Sequence, residues 1–281
     1  MTSLKNLEET ASQVRRDIIR MVNANNSGHP GGSLGCADFL TALYFEILEH
    51  NPKKFSINGE SEDLFFLSNG HISPAWYSVL ARSGYFDIAE LKTFRSINSR
   101  LQGHPATTYN LPGIRIASGS LGQGLSIAIG AALTKKLKND KNLVFSLHGD
   151  GELQEGQIWE AAMYAAAKKV DNIIATIDYN QKQIDGSTDK VLSLGDLSSK
   201  WLSFGWKVLE MDGNNMEDIL ATVKKAKELT GKSSPIVILM KTEMGMGVDF
   251  MMGTHKWHGK APNDIQLEQA LNQLAETLGD Y

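Results

Sequence analysis

The chain holds one cysteine, Cys36, in 281 residues. A single thiol excludes an internal disulfide framework and fits a reducing cytoplasm. Cys36 heads an apolar helical pattern, so it reads as core rather than as a nucleophile. No apolar run approaches the roughly 20 residues that a bilayer-spanning helix needs. The start, Met1-Thr2-Ser3-Leu4-Lys5, leads into an amphipathic pattern with no signal-peptide apolar core. Excess positive charge is lacking too. With 28 Lys and Arg against 32 Asp and Glu, the net charge is −4, which leaves no basic footprint for nucleic acid. Internal repeats and low-complexity linkers are absent.

What remains, at 42% hydrophobic and 21% charged, suits a globular protein with one large or two small domains. Leu4, Leu7, Ala11, Val14, Ile18, Met21 and Val22 recur at helical spacing and predict a helix over about 4–25. Ser27-Gly28-His29-Pro30-Gly31-Gly32-Ser33 breaks it, and a second helix is expected over 36–48. Residues 63–67 read as a strand, 74–83 as a helix and 88–93 as a shorter one. Residues 94–118 show no period, and a loop this long is more often functional than not. A helix rich in small residues follows to about 138. Strands are expected at 143–147, 173–177, 206–210 and 235–240. Helices are expected at 155–166, within 192–205, at 216–229 and at 264–278. Residues 241–263 form another long loop. Strands alternating with helices predict an α/β fold, a mainly parallel sheet with helices on both faces.

The chain is organised around the strand-helix-strand that ends first in Gly149-Asp150-Gly151 and then in Asp178-Tyr179-Asn180. Polar residues at the C-terminal ends of parallel strands are where such sheets bind ligands. Singly, Gly-Asp-Gly is a turn and Asp-Tyr-Asn a loop. Together, a carboxylate and an amide oxygen facing one point suit a hard divalent cation such as magnesium. The helix start near Glu155 suits an anion. The combination points to a metal–diphosphate ligand.

With the other loops added, the sequence resembles the diphosphate-binding N-terminal domain of transketolases, over nearly its whole length. The resemblance rests on Ser27-Gly28-His29-Pro30-Gly31, Leu67-Ser68-Asn69-Gly70-His71, Gly103-His104-Pro105, Gly119-Ser120-Leu121-Gly122-Gln123-Gly124 and Gly149-Asp150-Gly151. Glu155-Gly156, Glu160-Ala161, Asp178-Tyr179-Asn180, Ile184-Asp185-Gly186 and Trp257-His258-Gly259-Lys260-Ala261-Pro262 complete it in family order.

The resemblance implies roles. The metal, magnesium with calcium or manganese as substitutes, would be held by Asp150, Asn180 and the backbone carbonyl of Lys182. Two diphosphate oxygens and a water would complete an octahedron. Lys182 stands where the family carries an apolar residue against the cofactor ring. Thiamine diphosphate would lie against His71, Gly119, Ser120, Leu121, Gly149, Gly151, Glu152, Glu155, Glu160 and Asn180. Glu155 and Glu160 match acids that join a carboxylate network across the family's dimer interface; on their own they read as helix-start acids. His29, His71, His104 and His258 would handle substrate, since imidazole can donate to sugar hydroxyls and move protons near neutral pH. His148 and His255 carry no assigned role, and neither does Ala106.

A full transketolase continues with a pyrimidine-binding and a C-terminal domain. Residues 1–281 are expected to form a single domain, so the chain resembles the N-terminal subunit of a split transketolase. Its partner would carry the pyrimidine domain, the glutamate that activates the cofactor, and arginines that grip the substrate phosphate. A homodimer or a heterotetramer is expected, in the cytoplasm, in sugar metabolism of the pentose phosphate kind, without nucleic acid or membrane. The implied reaction moves a two-carbon ketol unit from a ketose to an aldose. The alternatives are a 1-deoxyxylulose-5-phosphate synthase-like or dehydrogenase-component relative, a split ketol-transferase for an unusual sugar such as a sulfonated one, and a non-catalytic cofactor-binding module. A plain dinucleotide enzyme is disfavoured, because Gly119-Ser-Leu-Gly-Gln-Gly has the wrong spacing and no convincing preceding strand.

Overall fold

A computed structural model describes residues 2–281. Five strands form one parallel sheet: β1 (Leu64–Leu67), β2 (Val144–Gly149), β3 (Ile173–Tyr179), β6 (Lys207–Asp212) and β7 (Ile236–Lys241), in the spatial order β1-β2-β3-β7-β6. A two-stranded antiparallel hairpin, β4 (Lys182–Gln183) with β5 (Gly186–Ser187), follows β3.

Except in the edge strand β6, where Glu210 and Asp212 are exposed, the strands are largely apolar on both sides because the sheet is covered on both sides. Along β7, Ile236, Ile238 and Met240 enter one core, while Val237 and Leu239 enter the other. β1 divides the same way, with Phe65 and Leu67 against Leu64 and Phe66. The first core is built by helices α1 (Leu4–Ala24), α2 (Pro30–Gly35), α3 (Ala37–Ala42), α4 (Ser73–Arg82), α9 (Met216–Leu229) and α10 (Asp264–Gln273). The second is built by α5 (Gln123–Leu137), α6 (Gly156–Ala167) and α8 (Leu197–Ser203). The short α7 (Thr188–Leu192) lies just after the hairpin.

The predicted α/β architecture is the observed one, with local departures. Helix begins at Pro30, inside the stretch expected to be a break. Proline is preorganised for a first helical position, and Gly31 is forced by packing, since a Cβ there would meet Met244 and the Trp257 carbonyl at 2.7 and 2.9 Å. The single helix expected over 36–48 is α3 followed by a wider π turn over Leu43–Ile47. The closing helix stops at Gln273. Residues beyond it are fastened to α1 instead: Arg16 donates to the Leu271 and Leu274 carbonyls and to Asp280, and Gln13 accepts from the backbone of Thr277 and Leu278. No helix among the described residues is long and apolar enough to cross a membrane.

Candidate active site

Parallel pairing brings the C-terminal ends of β1, β2, β3 and β7 to one edge, and a cleft of about 360 Å³ opens there. Every loop singled out by motif reaches it. Asn69 and His71 come from the turn after β1, and Gly149, Asp150, Gly151 and Glu152 from the end of β2. Asp178 and Asn180 come from the end of β3, and Lys182 from the hairpin. His29 stands at the start of α2, His104, Gly119 and Leu121 on the long loop before α5, and His258 on the loop after β7.

The four histidines share one wall. The His29 ring centroid lies 5.1 Å from that of His71, 5.8 Å from His258 and 6.3 Å from His104, and His71 and His258 are 5.2 Å apart. Gly119 makes the approach of His104 possible: its φ is +121°, and a Cβ would meet the His104 ring at 2.5 Å. Burial comes first in holding all four imidazoles below their usual pKa. His29 falls to about 4, with the charges of His258 and Arg95 adding to burial. His71 is pushed well below the usual value, and His104 and His258 are lowered too. The cluster is therefore neutral at pH 7. Nδ1 of His29, Nδ1 of His258 and Oδ1 of Asn69 are buried without any hydrogen-bond partner. Orphaned polar atoms on a cleft wall call for a polar occupant.

The floor carries two buried carboxylates. Asp150 and Asp178 are 1% and 2% exposed, and neither is ion-paired with a lysine or arginine. Burial, then the Asp178 charge, pushes the Asp150 carboxyl up to about 8. Asp178 is raised by burial despite accepting from Thr242 Oγ1 and, at 2.8 Å, from Asn180 Nδ2. Two desolvated carboxyls without a basic partner fit a bound cation, which would favour their ionised form. The amide orientation fits as well: Asn180 turns Nδ2 toward Asp178 and leaves Oδ1 on the opposite side, where it accepts from the Lys182 backbone at 2.9 Å. No three His, Cys, Asp or Glu side chains among the described residues cluster as a metal cage. A site made of Asp150, Asn180 and a backbone carbonyl thus relies on a ligand's own oxygens.

Three residues expected against the cofactor are placed otherwise. Glu152 turns inward: Oε1 accepts from Gly122 N at 2.8 Å and from Ser68 Oγ, and Oε2 accepts from Gly149 N at 3.1 Å. Its carboxylate fastens the three loops that frame the cleft. Burial opposes that charge, but His148, Ser68 and Gly122 outweigh it and hold Glu152 below its usual range. Ser120 is exposed and off the cleft wall. Glu160 is exposed on α6, in a groove against α5, away from the cleft that Glu155 lines.

Lys182 carries its ammonium to Glu243, 3.2 Å from Oε1, so its side chain is engaged with the loop after β7. Two functions escaped sequence reasoning. His148 is 1% exposed, between Ser146 Oγ at 2.9 Å and Glu152 Oε1 at 3.5 Å; its spacing of four from Glu152 was the available signal. The pairing of Asp178 with Asp150 was hidden, since it depends on the register of two strands.

Fold and site together define an α/β domain whose polar cleft lies at the carboxyl edge of a parallel sheet. Residues 7–277 match the family described as transketolase, thiamine diphosphate binding domain, and the chain belongs to the transketolase family. It is 38% identical over 275 residues to one subunit of the apulose-4-phosphate transketolase of Phocaeicola vulgatus, covering 98% of this chain and 96% of that protein. It is also 38% identical over 271 residues to the 6-deoxy-6-sulfo-D-fructose transketolase subunit SqwG of Clostridium sp., covering 95% and 96%. Among solved structures, the transketolase of Campylobacter jejuni superposes with a TM-score of 0.89 at 34% identity, over 97% of this chain but 43% of that one. Human transketolase is 32% identical over 272 residues, and the chain spans 42% of it.

Proposed function

We propose that this chain is the thiamine diphosphate- and magnesium-binding subunit of a two-chain transketolase. It would transfer a two-carbon ketol unit from a ketose to an aldose. The observation that carries this reading is the convergence of four imidazoles, from four separate loops, over the Asp150–Asn180 floor. When bound, the cofactor supplies the carbon nucleophile. Asp150, Asn180 and the Lys182 carbonyl would hold the metal. His71, Gly119, Leu121, Gly149, Gly151 and Glu155 would surround the diphosphate and ring, and Glu152 would brace the loops. The imidazoles of His29, His104 and His258 would orient the sugar hydroxyls and carry protons, which neutral imidazole does by donating at one nitrogen and accepting at the other.

The names of two relatives support a sugar with an anionic terminus, a phosphate or a sulfonate. Both relatives are named as single subunits of their transketolases, which supports a second chain here. We assign that partner the pyrimidine-binding domain and the glutamate that activates the cofactor. Assembly would be two copies of each. The test is reconstitution: the purified chain alone gives no ketol transfer, and adding the partner restores magnesium- and thiamine diphosphate-dependent transfer from ketose to aldose. Turnover by the chain alone, or none with any transketolase-type partner, overturns the reading.

A further inference from the structure

Every other arginine among the described residues is ion-paired with an aspartate or glutamate; Arg95 is not. It is held in place with some care. Its backbone takes φ +58°, uncommon for a side chain of this size, and its N–H closes the 95–101 turn on the Leu101 carbonyl at 2.8 Å. Gly103 clears room for the head group: a Cβ there would lie 2.5 Å from both Cζ and Nε. Nη1 donates to Ser27 Oγ at 2.8 Å, while Nε is buried with no partner at all. Burial lowers the Arg95 pKa, and no carboxylate opposes this.

The guanidinium faces a second cavity, of about 540 Å³, lined by Asn25, Ser27, Arg95, Gln102, Gly103 and His104. All of these but Arg95 are uncharged at neutral pH, so the wall carries donors and one fixed positive charge. His104 lines this cavity and the cofactor cleft alike. His104 thus stands between the cofactor cleft and the Arg95 cavity. A partly buried guanidinium without a counter-charge is costly, and its planar donors match a tetrahedral oxyanion.

We propose that Arg95, with Ser27 beside it, forms a subsite for the anionic end of the sugar, a phosphate monoester or a sulfonate. The subsite belongs to this chain and is additional to any arginines of the partner. This rests on the proposed ketol transfer, because the sugar must enter past the histidines. Arg95 is then a specificity residue, and its charge is spent on the substrate's far end and not on the reacting carbons.

The assembled two-chain enzyme is assayed with three ketose donors: fructose 6-phosphate, 6-deoxy-6-sulfo-D-fructose and the neutral L-erythrulose. Arg95→Gln is expected to raise KM for the anionic donor that is the true substrate class roughly ten- to hundredfold, with kcat changed far less, while KM for L-erythrulose holds. Arg95→Lys should recover part of the loss. Whichever anionic donor responds more strongly assigns phosphate or sulfonate. Equal loss on all three donors, or none on either anion, overturns the subsite. A second measurement needs no turnover. Phenylglyoxal labelling of the full chain, read by peptide mass spectrometry, should modify Arg95 readily and be slowed there by inorganic phosphate or sulfate. Absence of protection at Arg95 overturns the proposal. Failure of all three donors in wild type would instead overturn the functional reading, with the labelling still deciding the subsite.

Discussion

The Asp150 N–H donates to the Asp178 carbonyl at 3.1 Å, so β2 and β3 end in register with two acidic side chains at the same level. Gln181 N, 2.5 Å from Asp150 Oδ2, and Gly151 N, 2.7 Å from Oδ1, position the carboxylate without neutralising it. The site is preorganised for a cation at a cost to the cation-free fold.

That cost has a sign. The Asp150 carboxyl sits at about 8 in the folded chain, above the about 3.9 of an unfolded aspartate, so the folded state holds the extra proton between those values. Its contribution to stability is full below about pH 4 and is lost as pH rises to about 8. In the cation-free chain, Asp150→Asn should therefore raise Tm at pH 8 and leave it nearly unchanged at pH 4. The same variant should lose magnesium-dependent thiamine diphosphate binding in calorimetry with the partner present. Undiminished cofactor affinity would sink the metal assignment.

The imidazoles impose the opposite slope. His29 is lowered to about 4 from the usual 6.5, so between those values the unfolded chain binds the extra proton. Stability should rise with pH through that window, with His71, His104 and His258 adding in the same direction. Replacing His29 by Gln should flatten the urea-derived stability curve between pH 4.5 and 6.5, values chosen to lie about inside that interval. An unchanged slope would mean that the ring is not desolvated in solution.

Glu152 ties Ser68, Gly122 and Gly149, one residue from each of three cleft-forming loops. Glu152→Ala leaves two buried N–H groups and the His148 ring without their acceptor. A loss of about 2–4 kcal/mol in stability is expected, since each buried donor left unsatisfied costs about 1–3 kcal/mol. Glu152→Gln keeps an acceptor oxygen and should lose less. Cofactor affinity should weaken in both, in proportion to the loosened loops. Full affinity in a clearly destabilised Glu152→Ala would show that these loops do not shape the cofactor site.

Much of this architecture was legible because it is local. Hydrophobic period and length marked the strands of the main sheet, and α1 and α9 fell within a residue of their predicted bounds. The loops at the carboxyl edge were legible as motifs, and pairing of parallel strands then placed His29, His71, His104 and His258 around one point, which no spacing could show. The β4–β5 hairpin was missed because two-residue strands carry no period. Arg95 was missed because its isolation is a property of what surrounds it: a run such as Phe94-Arg95-Ser96 does not reveal whether an acid stands nearby. The inward turn of Glu152 was hidden for the same reason, since first-turn acids in sequence look solvent-facing.

The stretches 122–132 on α5 and 158–167 on α6 carry apolar side chains in the open. Met163 is 59% exposed, Tyr164 48% and Ile127 38%, all on α5 and α6. A groove between the two helices is lined by Ile129, Leu133 and Ala161, with Glu160 and Tyr164 beside it. A Cβ at Gly130 would meet nothing within 4 Å, so this face is open. Neighbouring exposed apolar side chains of this kind mark an interaction surface. Tyr164→Asp adds a charge there without touching the cofactor cleft. It should leave the fold of the chain intact by circular dichroism, weaken association with itself or the partner at least about tenfold by analytical ultracentrifugation, and reduce ketol transfer in step with the lost complex. Assembly and turnover indistinguishable from wild type would place the partner on another face.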